Sequence, residues 1–272
     1  MTVASTREPI HVSVSAAGFR AIGCCILSAW LLAADAGAQT PARLALRGKD
    51  QALQLYGPRN GDPVIVSSGD GGWIHLGPQV AVMLAARGFF VVGFDSKAYL
   101  EAFTTGSSTL TTKEVPSDYR ELIKFASSHS AKKPILIGVS EGAALSLLAA
   151  TQPATRELID GVIGLGLGDR NELGWRWRDA LIYVTHGVPN EPTFSTREMA
   201  ASLSPTPLAV INSSHDEFVT SAEVSAILGT AKEPKRLWMI DAADHRFSNR
   251  PAELTSRLLE AIDWIRQNAA GR

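Results

Sequence analysis

The sequence predicts an α/β fold in which a mostly parallel central sheet carries helices on both faces. Two observations carry that prediction. Short apolar runs recur between stretches of helical periodicity, the alternation that builds parallel sheets through crossover helices. Most of these runs are apolar throughout rather than at every second residue, as strands covered on both faces must be.

Taken in order, Leu44–Arg47 and Leu53–Tyr56 read as short strands forming an antiparallel edge. Pro63–Ser67 reads as a buried strand followed by the turn Ser68-Gly-Asp-Gly-Gly72. A helix is expected over Leu76–Arg87, with Val80, Leu84 and Ala85 on one face and Gly88 as its stop. Phe89–Phe94 is the next strand, followed by a polar loop over Thr104–Lys113 and a helix over Ser117–Ser128. Pro134–Val139 is a strand and Glu141–Ala150 a helix rich in Ala and Leu. Ile159–Leu167, Pro207–Asn212 and Lys235–Ile240 supply further strands. Pro251 opens a last helix in which Leu254, Leu258, Ile262 and Ile265 recur at helical spacing. Residues 168–204 break the alternation with Trp175, Trp177, Pro189, Pro192 and several charges. An insertion there would stand above the carboxyl ends of the strands, as a lid or pocket wall. The bland reading is a decorated helix whose tryptophans pack inward.

Residues 1–38 differ from the rest. Arg7 and Arg20 precede an apolar run over Ala21–Ala34, and Ala36 and Ala38 form an A-x-A cleavage pattern before Gln39. The run is short for a membrane span, which takes about 20 residues. A cleaved export signal is the first reading and a retained N-terminal anchor the second, leaving 39–272 as one domain. Both cysteines, Cys24 and Cys25, fall in this segment, so a mature protein would hold neither disulfide nor reactive thiol. The six histidines show no metal-ligand spacing, and no metal or other cofactor is expected. A formal net charge of −1 without a basic run excludes nucleic acid as an expected partner.

The chemistry is concentrated in Gly138-Val-Ser140-Glu-Gly142, set directly between a strand and a small-residue helix. A tight strand-to-helix turn exposes a serine Oγ at the sheet edge, and glycines flank it because side chains would collide with the neighbouring elements. A hydroxyl needs a base to take its proton. His245, after the last strand, is the candidate, because in α/β-hydrolases the base follows both the serine and the acid in chain order. Asp216, after the penultimate strand, is the candidate acid, with Glu217 its rival. Backbone N–H groups of Glu141 and Asp70, with Gly71 next in line, are expected to face a developing oxyanion. Gly71, Trp73, Asp95, Trp175 and Trp177 are candidate substrate contacts. Each piece also has a plain reading, as a glycine-rich turn, an exposed loop histidine or a turn carboxylate.

Ser67-Ser-Gly-Asp-Gly-Gly-Trp73, Val92-Gly-Phe-Asp-Ser96 and the elbow with its following Ala143 together resemble bacterial VirJ/AcvB-type virulence-associated proteins of the α/β-hydrolase superfamily. The resemblance is clear over Val64–Ala150 and departs from the family pattern in placing Val139 and Glu141 around the serine. It implies an exported hydrolase of aminoacylated phosphatidylglycerol, such as the lysyl ester. The expectation is therefore a periplasmic serine esterase acting on a small-molecule or lipid ester, with peripheral contact to membrane lipid. The competing class is a hydrolase fold without activity that serves as a periplasmic interaction module.

Overall fold

The computed structural model describes residues 40–177 and 191–269. Its strands are β1 (Thr40–Leu46), β2 (Lys49–Tyr56), β3 (Asp62–Ser67), β4 (Phe89–Phe94), β5 (Ile135–Val139), β6 (Gly161–Leu165), β7 (Arg170–Glu172), β8 (Thr193–Ser195), β9 (Leu208–Ser213) and β10 (Lys235–Ile240). The helices are α1 (Leu76–Ala85), α2 (Ser96–Phe103), α3 (Glu114–Ala126), α4 (Glu141–Thr151), α5 (Pro153–Arg156), α6 (Thr196–Ala200), α7 (Ser221–Thr230) and α8 (Pro251–Ala269). Eight strands form one sheet in the order β1-β2-β4-β3-β5-β6-β9-β10. The six from β4 to β10 run parallel, and β1 and β2 add the antiparallel edge.

Local sequence explains most of this. Arg47 and Gly48 both take positive φ, so the two-residue loop Arg47-Gly48 turns β1 into β2 with the twist a hairpin needs. In α1, Val80, Leu84 and Ala85 are buried as their spacing predicts, and Gly88, at φ 84°, turns the chain into β4. Along β3 the side chains divide between two cores. Val64 and Val66 join α1 and α8, whereas Ile65 joins α3 and α4. Helix α8 buries Leu254, Leu258, Ile262 and Ile265, each worth about 1.5–3 kcal/mol relative to exposure. Helix α4 is buried on all sides from Gly142 to Ala150, so it lies inside the structure rather than on it.

Besides the short α5 and α6, two longer helices were not expected. Asp95 caps α2 by accepting from the Ala98 N–H, and Thr220 caps α7 by accepting from the Glu223 N–H. Both helices are short and mix apolar with small polar residues, which blurs their periodicity in sequence. The break after β6 is real, because β7 and β8 form a separate two-stranded antiparallel sheet outside the main one. The centre of the expected insertion, residues 178–190, and the whole of residues 1–38 lie outside the described residues.

Registry sets the stage for the site. Ser67 pairs level with Phe94 and Gly138, and Val139 with Leu165. The parallel strands therefore end together and release their following loops on one edge. The strand order reverses between β3 and β5, because β4 lies to one side of β3 while β5 lies to the other. Ligands bind at such a reversal in open α/β sheets.

Candidate active site

Ser140 sits at that reversal in a backbone conformation few residues adopt, φ 50° and ψ −117°. Such a conformation is strained and persists only where the surroundings impose it. The Ser140 N–H donates to the Leu165 carbonyl at 2.9 Å, which pins the turn to the neighbouring strand. The flanking glycines are required for the reason expected. A Cβ on Gly138 would stand 2.2 Å from the Gly142 carbonyl oxygen, and one on Gly142 would stand 2.3 Å from the Ser68 carbonyl oxygen. Both obstacles are backbone, which cannot swing aside.

His245 and Asp216 come together from different loops. His245 Nδ1 lies 2.7 Å from Asp216 Oδ2, and the Asp216 carboxylate is fully buried. Its other oxygen accepts from the Phe218 and Val219 N–H groups at 2.9 and 2.8 Å. Those bonds fix the carboxylate from behind while it fixes the imidazole. The rival acid is also engaged, but with backbone, since Glu217 accepts from the His245 N–H at 2.8 Å. Gly166, at φ 62°, leaves room for the ring, because a Cβ there would be 2.3 Å from imidazole Cε1. The Phe218 ring meets the imidazole edge-on at 5.5 Å.

The loop after β3 closes the third side. It passes so near the serine that a Cβ on Gly69 would stand 3.4 Å from the Ser140 Cβ. Ser68 Oγ accepts from the Ser96 N–H, and Asp95 accepts from the Trp73 N–H at 3.1 Å, so the start of α2 holds this loop in place. Asp70, Gly71, Ser140, Glu141 and His245 all line one cavity of about 570 Å³.

Four expected substrate contacts do not reach that cavity. Trp73 turns inward, its Nε1 donating to the Tyr56 hydroxyl at 3.2 Å and its ring filling the space over Gly93. Asp95 is spent on capping α2 and tethering Trp73. Trp175 packs against the core beneath Lys97, whose ammonium lies 4.2 Å from its ring centroid. Trp177 is 79% exposed and is not among the lining residues. The local sequence marks these residues as near the strand ends without revealing which way their side chains point.

The cavity instead draws on residues the sequence did not single out, among them Ile74, Arg170, Glu172, Phe218 and Arg246. Glu172 matters because of Glu141. The Glu141 carboxylate is buried and accepts from the Glu172 N–H at 3.0 Å. Burial pushes its pKa well above the ordinary carboxylate range, and the nearby charges of Asp70 and Glu172 push it further. Three carboxyl groups therefore converge beside the serine. Only Asp70 and Glu141 were legible as neighbours of the loop and elbow.

The family model of the bacterial virulence protein (VirJ) matches residues 62–265. The chain belongs to the VirJ family. Among curated proteins, no sequence relative matches this VirJ-family chain. Solved structures do. A membrane phospholipase A described as a novel bacterial virulence factor aligns with a TM-score of 0.63 at 10% identity, covering 85% of this chain and 87% of its own. The α/β-hydrolase GrgF from Penicillium sp. sh18 aligns at 0.64 and 12% identity, covering 86% and 99%. The esterase domain of a Rhodothermus marinus protein aligns at 0.57 and 19%, covering 85% and 98%. At such identities the likeness establishes the α/β-hydrolase fold and nothing finer.

Proposed function

We propose that this VirJ-family protein is a serine hydrolase that cleaves carboxylic esters through an acyl-enzyme on Ser140. The observation that carries the reading is the joint placement of a strained elbow serine and an Asp216-anchored His245 on one cavity. The bond from Nδ1 to Asp216 fixes the imidazole tautomer and leaves Nε2 as the base. In the reaction, Ser140 Oγ attacks the ester carbonyl carbon as its proton passes to Nε2. The resulting oxyanion is held by the backbone N–H groups of Asp70 and Glu141, the second belonging to the first turn of α4. Collapse breaks the bond to the alcohol oxygen, which takes the proton from His245. Water then attacks the acyl-enzyme by the same route, releasing the acid and restoring Ser140.

Within this reading the substrate is an ester whose acyl part carries an ammonium, as the family resemblance implies for lysyl-phosphatidylglycerol. Asp70 and Glu172 supply the complementary charge, beside the buried carboxyl of Glu141. Labelling by a fluorophosphonate probe tests the enzyme class directly. Modification that disappears in Ser140→Ala supports it, and an unlabelled, folded parent protein would return the chain to the class of binding modules.

Residues 1–38 are read as an export signal on their sequence pattern alone. Among the described residues, no helix is long and apolar enough to cross a membrane. Mass spectrometry of the protein expressed in a Gram-negative host should find a mature N-terminus at or near Gln39 in the periplasm. An intact N-terminus in the membrane fraction would favour the anchor.

A further inference from the structure

We infer that Glu141 and Glu223 are positioning residues, a pair of carboxyls that clamps β7 to the catalytic helices and so sets where the cavity wall meets the substrate. This deepens the proposed function, on which its consequence for substrate choice rests. Arg170, Asn171 and Glu172 make up β7, and all three line the cavity. Among the described residues, β7 pairs with β8 alone, in a two-stranded sheet that shares no strand with the main one. A two-stranded ribbon is marginal by itself, so other contacts must fix it over Ser140.

The register shows where such a contact is needed. The Leu173 N–H donates to the Pro192 carbonyl, and the Thr196 N–H to the Asp169 carbonyl. With Asn171 level with Phe194, the odd-numbered residues turn their backbone groups toward β8. The Glu172 N–H therefore points away from β8, along the edge where a third strand would lie. Glu141 stands in for that strand, its Oε1 accepting from the Glu172 N–H at 3.0 Å. At the other end of β7, the Asp169 N–H donates to Glu223 Oε1 at 2.7 Å.

Both carboxyls come from helix starts tied to the triad. Glu141 follows Ser140 and opens α4. Glu223 lies in the first turn of α7, which begins just after the loop bearing Asp216. Thr220 and Glu223 have capping-box spacing, in which the carboxyl ordinarily turns back to the N-cap N–H. Here Thr220 accepts from the Glu223 N–H, while Glu223 Oε1 goes to β7. The wall thus takes its position from the nucleophile at one end and from the acid loop at the other. Any shift of β7 carries with it the Glu172 carboxyl, which supplies charge for the proposed ammonium group. The tie needs an acceptor oxygen rather than a charge, so Glu→Gln keeps it and Glu→Ala opens it.

The test begins with amide hydrogen exchange, which requires no turnover. In Glu223→Ala the Asp169 amide should exchange roughly tenfold faster than in the parent, and in Glu141→Ala the Glu172 amide likewise. Glu223→Gln should hold the Asp169 amide within about threefold of the parent. The Ile137 amide, in buried β5, reports the main sheet and should keep its rate in every variant. Catalysis is then compared on a lysyl ester and a neutral hexanoyl ester of the same alcohol. Glu223→Ala should lower the ratio of their kcat/KM values roughly tenfold, through KM for the lysyl ester, and Glu223→Gln should restore the ratio. An equal loss in Glu223→Gln would overturn the inference by making Glu223 a direct charge contact. Unchanged exchange at Asp169 would overturn it, as would equal acceleration at Ile137, which would make Glu223 a support of the whole fold. Faster exchange with an unchanged ratio would overturn the link to substrate choice. A protein that turns over neither ester defeats the proposed function, while exchange still decides whether the clamp exists.

Discussion

The elbow region, from β3 through β5 into α4, and the segment between β6 and β9 are held by different physics. Around the elbow the constraints are steric and backbone-to-backbone. Gly138 and Gly142 face main-chain atoms at separations no side chain tolerates, and α4 is buried on every side. The second region is tied by polar side chains. Glu191 is buried and paired with Arg176, which also donates to the Thr105 carbonyl, while Asp169 accepts from Ser195 Oγ and the Arg197 N–H. A steric frame has one solution, so it can hold a strained serine. A polar frame can be rewritten residue by residue, and it is the region from which Glu172 and Arg170 join the cavity wall.

The sharpest test of that division lies at the reacting groups. Ser140→Ala and His245→Ala should each lower kcat/KM on a short-chain ester by several orders of magnitude, and the double variant should be little worse, because triad members act as a unit. Asp216→Asn should lose about 10⁴-fold, since the amide no longer fixes the tautomer. Glu217→Gln should lose far less, as its contact is with the His245 N–H rather than the ring. Greater damage from Glu217→Gln would transfer the acid role to it.

Stability comes next. Gly142→Ala forces a Cβ onto the Ser67 and Ser68 carbonyls and should destabilise by about 3 kcal/mol or leave the protein insoluble. Trp177→Ala, in the polar region, should stay within about 0.5 kcal/mol in a denaturant melt because the ring is 79% exposed. Comparable losses in the two would erase the contrast between the regions.

Specificity should follow the polar region. Glu172→Gln should raise KM for a lysyl ester roughly ten- to a hundredfold and spare a neutral ester of the same alcohol. Equal effects on both esters would remove the ammonium from the reading.

The smallest effect concerns pH. The Glu141 pKa is raised in the folded protein above its unfolded value near 4.5, so the native state binds the proton more tightly. Stability tied to that proton is fully present below the unfolded pKa and is lost as pH rises toward the folded one. Glu141→Gln should therefore gain in Tm relative to the parent as pH rises through that window. A Tm difference independent of pH would mean that Glu141 is charged in the fold.

Much of this was legible in the residues. The strand-helix alternation, the elbow and the chain order of Ser140, Asp216 and His245 are local or sequential properties, and they required no knowledge of packing. The apolar runs in β3, β4, β5 and β9 read as buried because polar residues stand only at their ends. Tertiary structure alone decided the directions of side chains and the meetings of distant loops. Trp73 and Trp175 carry the composition of pocket residues but point into the fold, because each finds a partner there, Tyr56 for one and Lys97 with the core for the other. Glu172 lies 31 positions from Glu141 and reaches it only because β7 folds back over the start of α4. Chain order fixes which groups are available to react, whereas the charges that surround them are set by approaches across the sheet edge that no local pattern encodes.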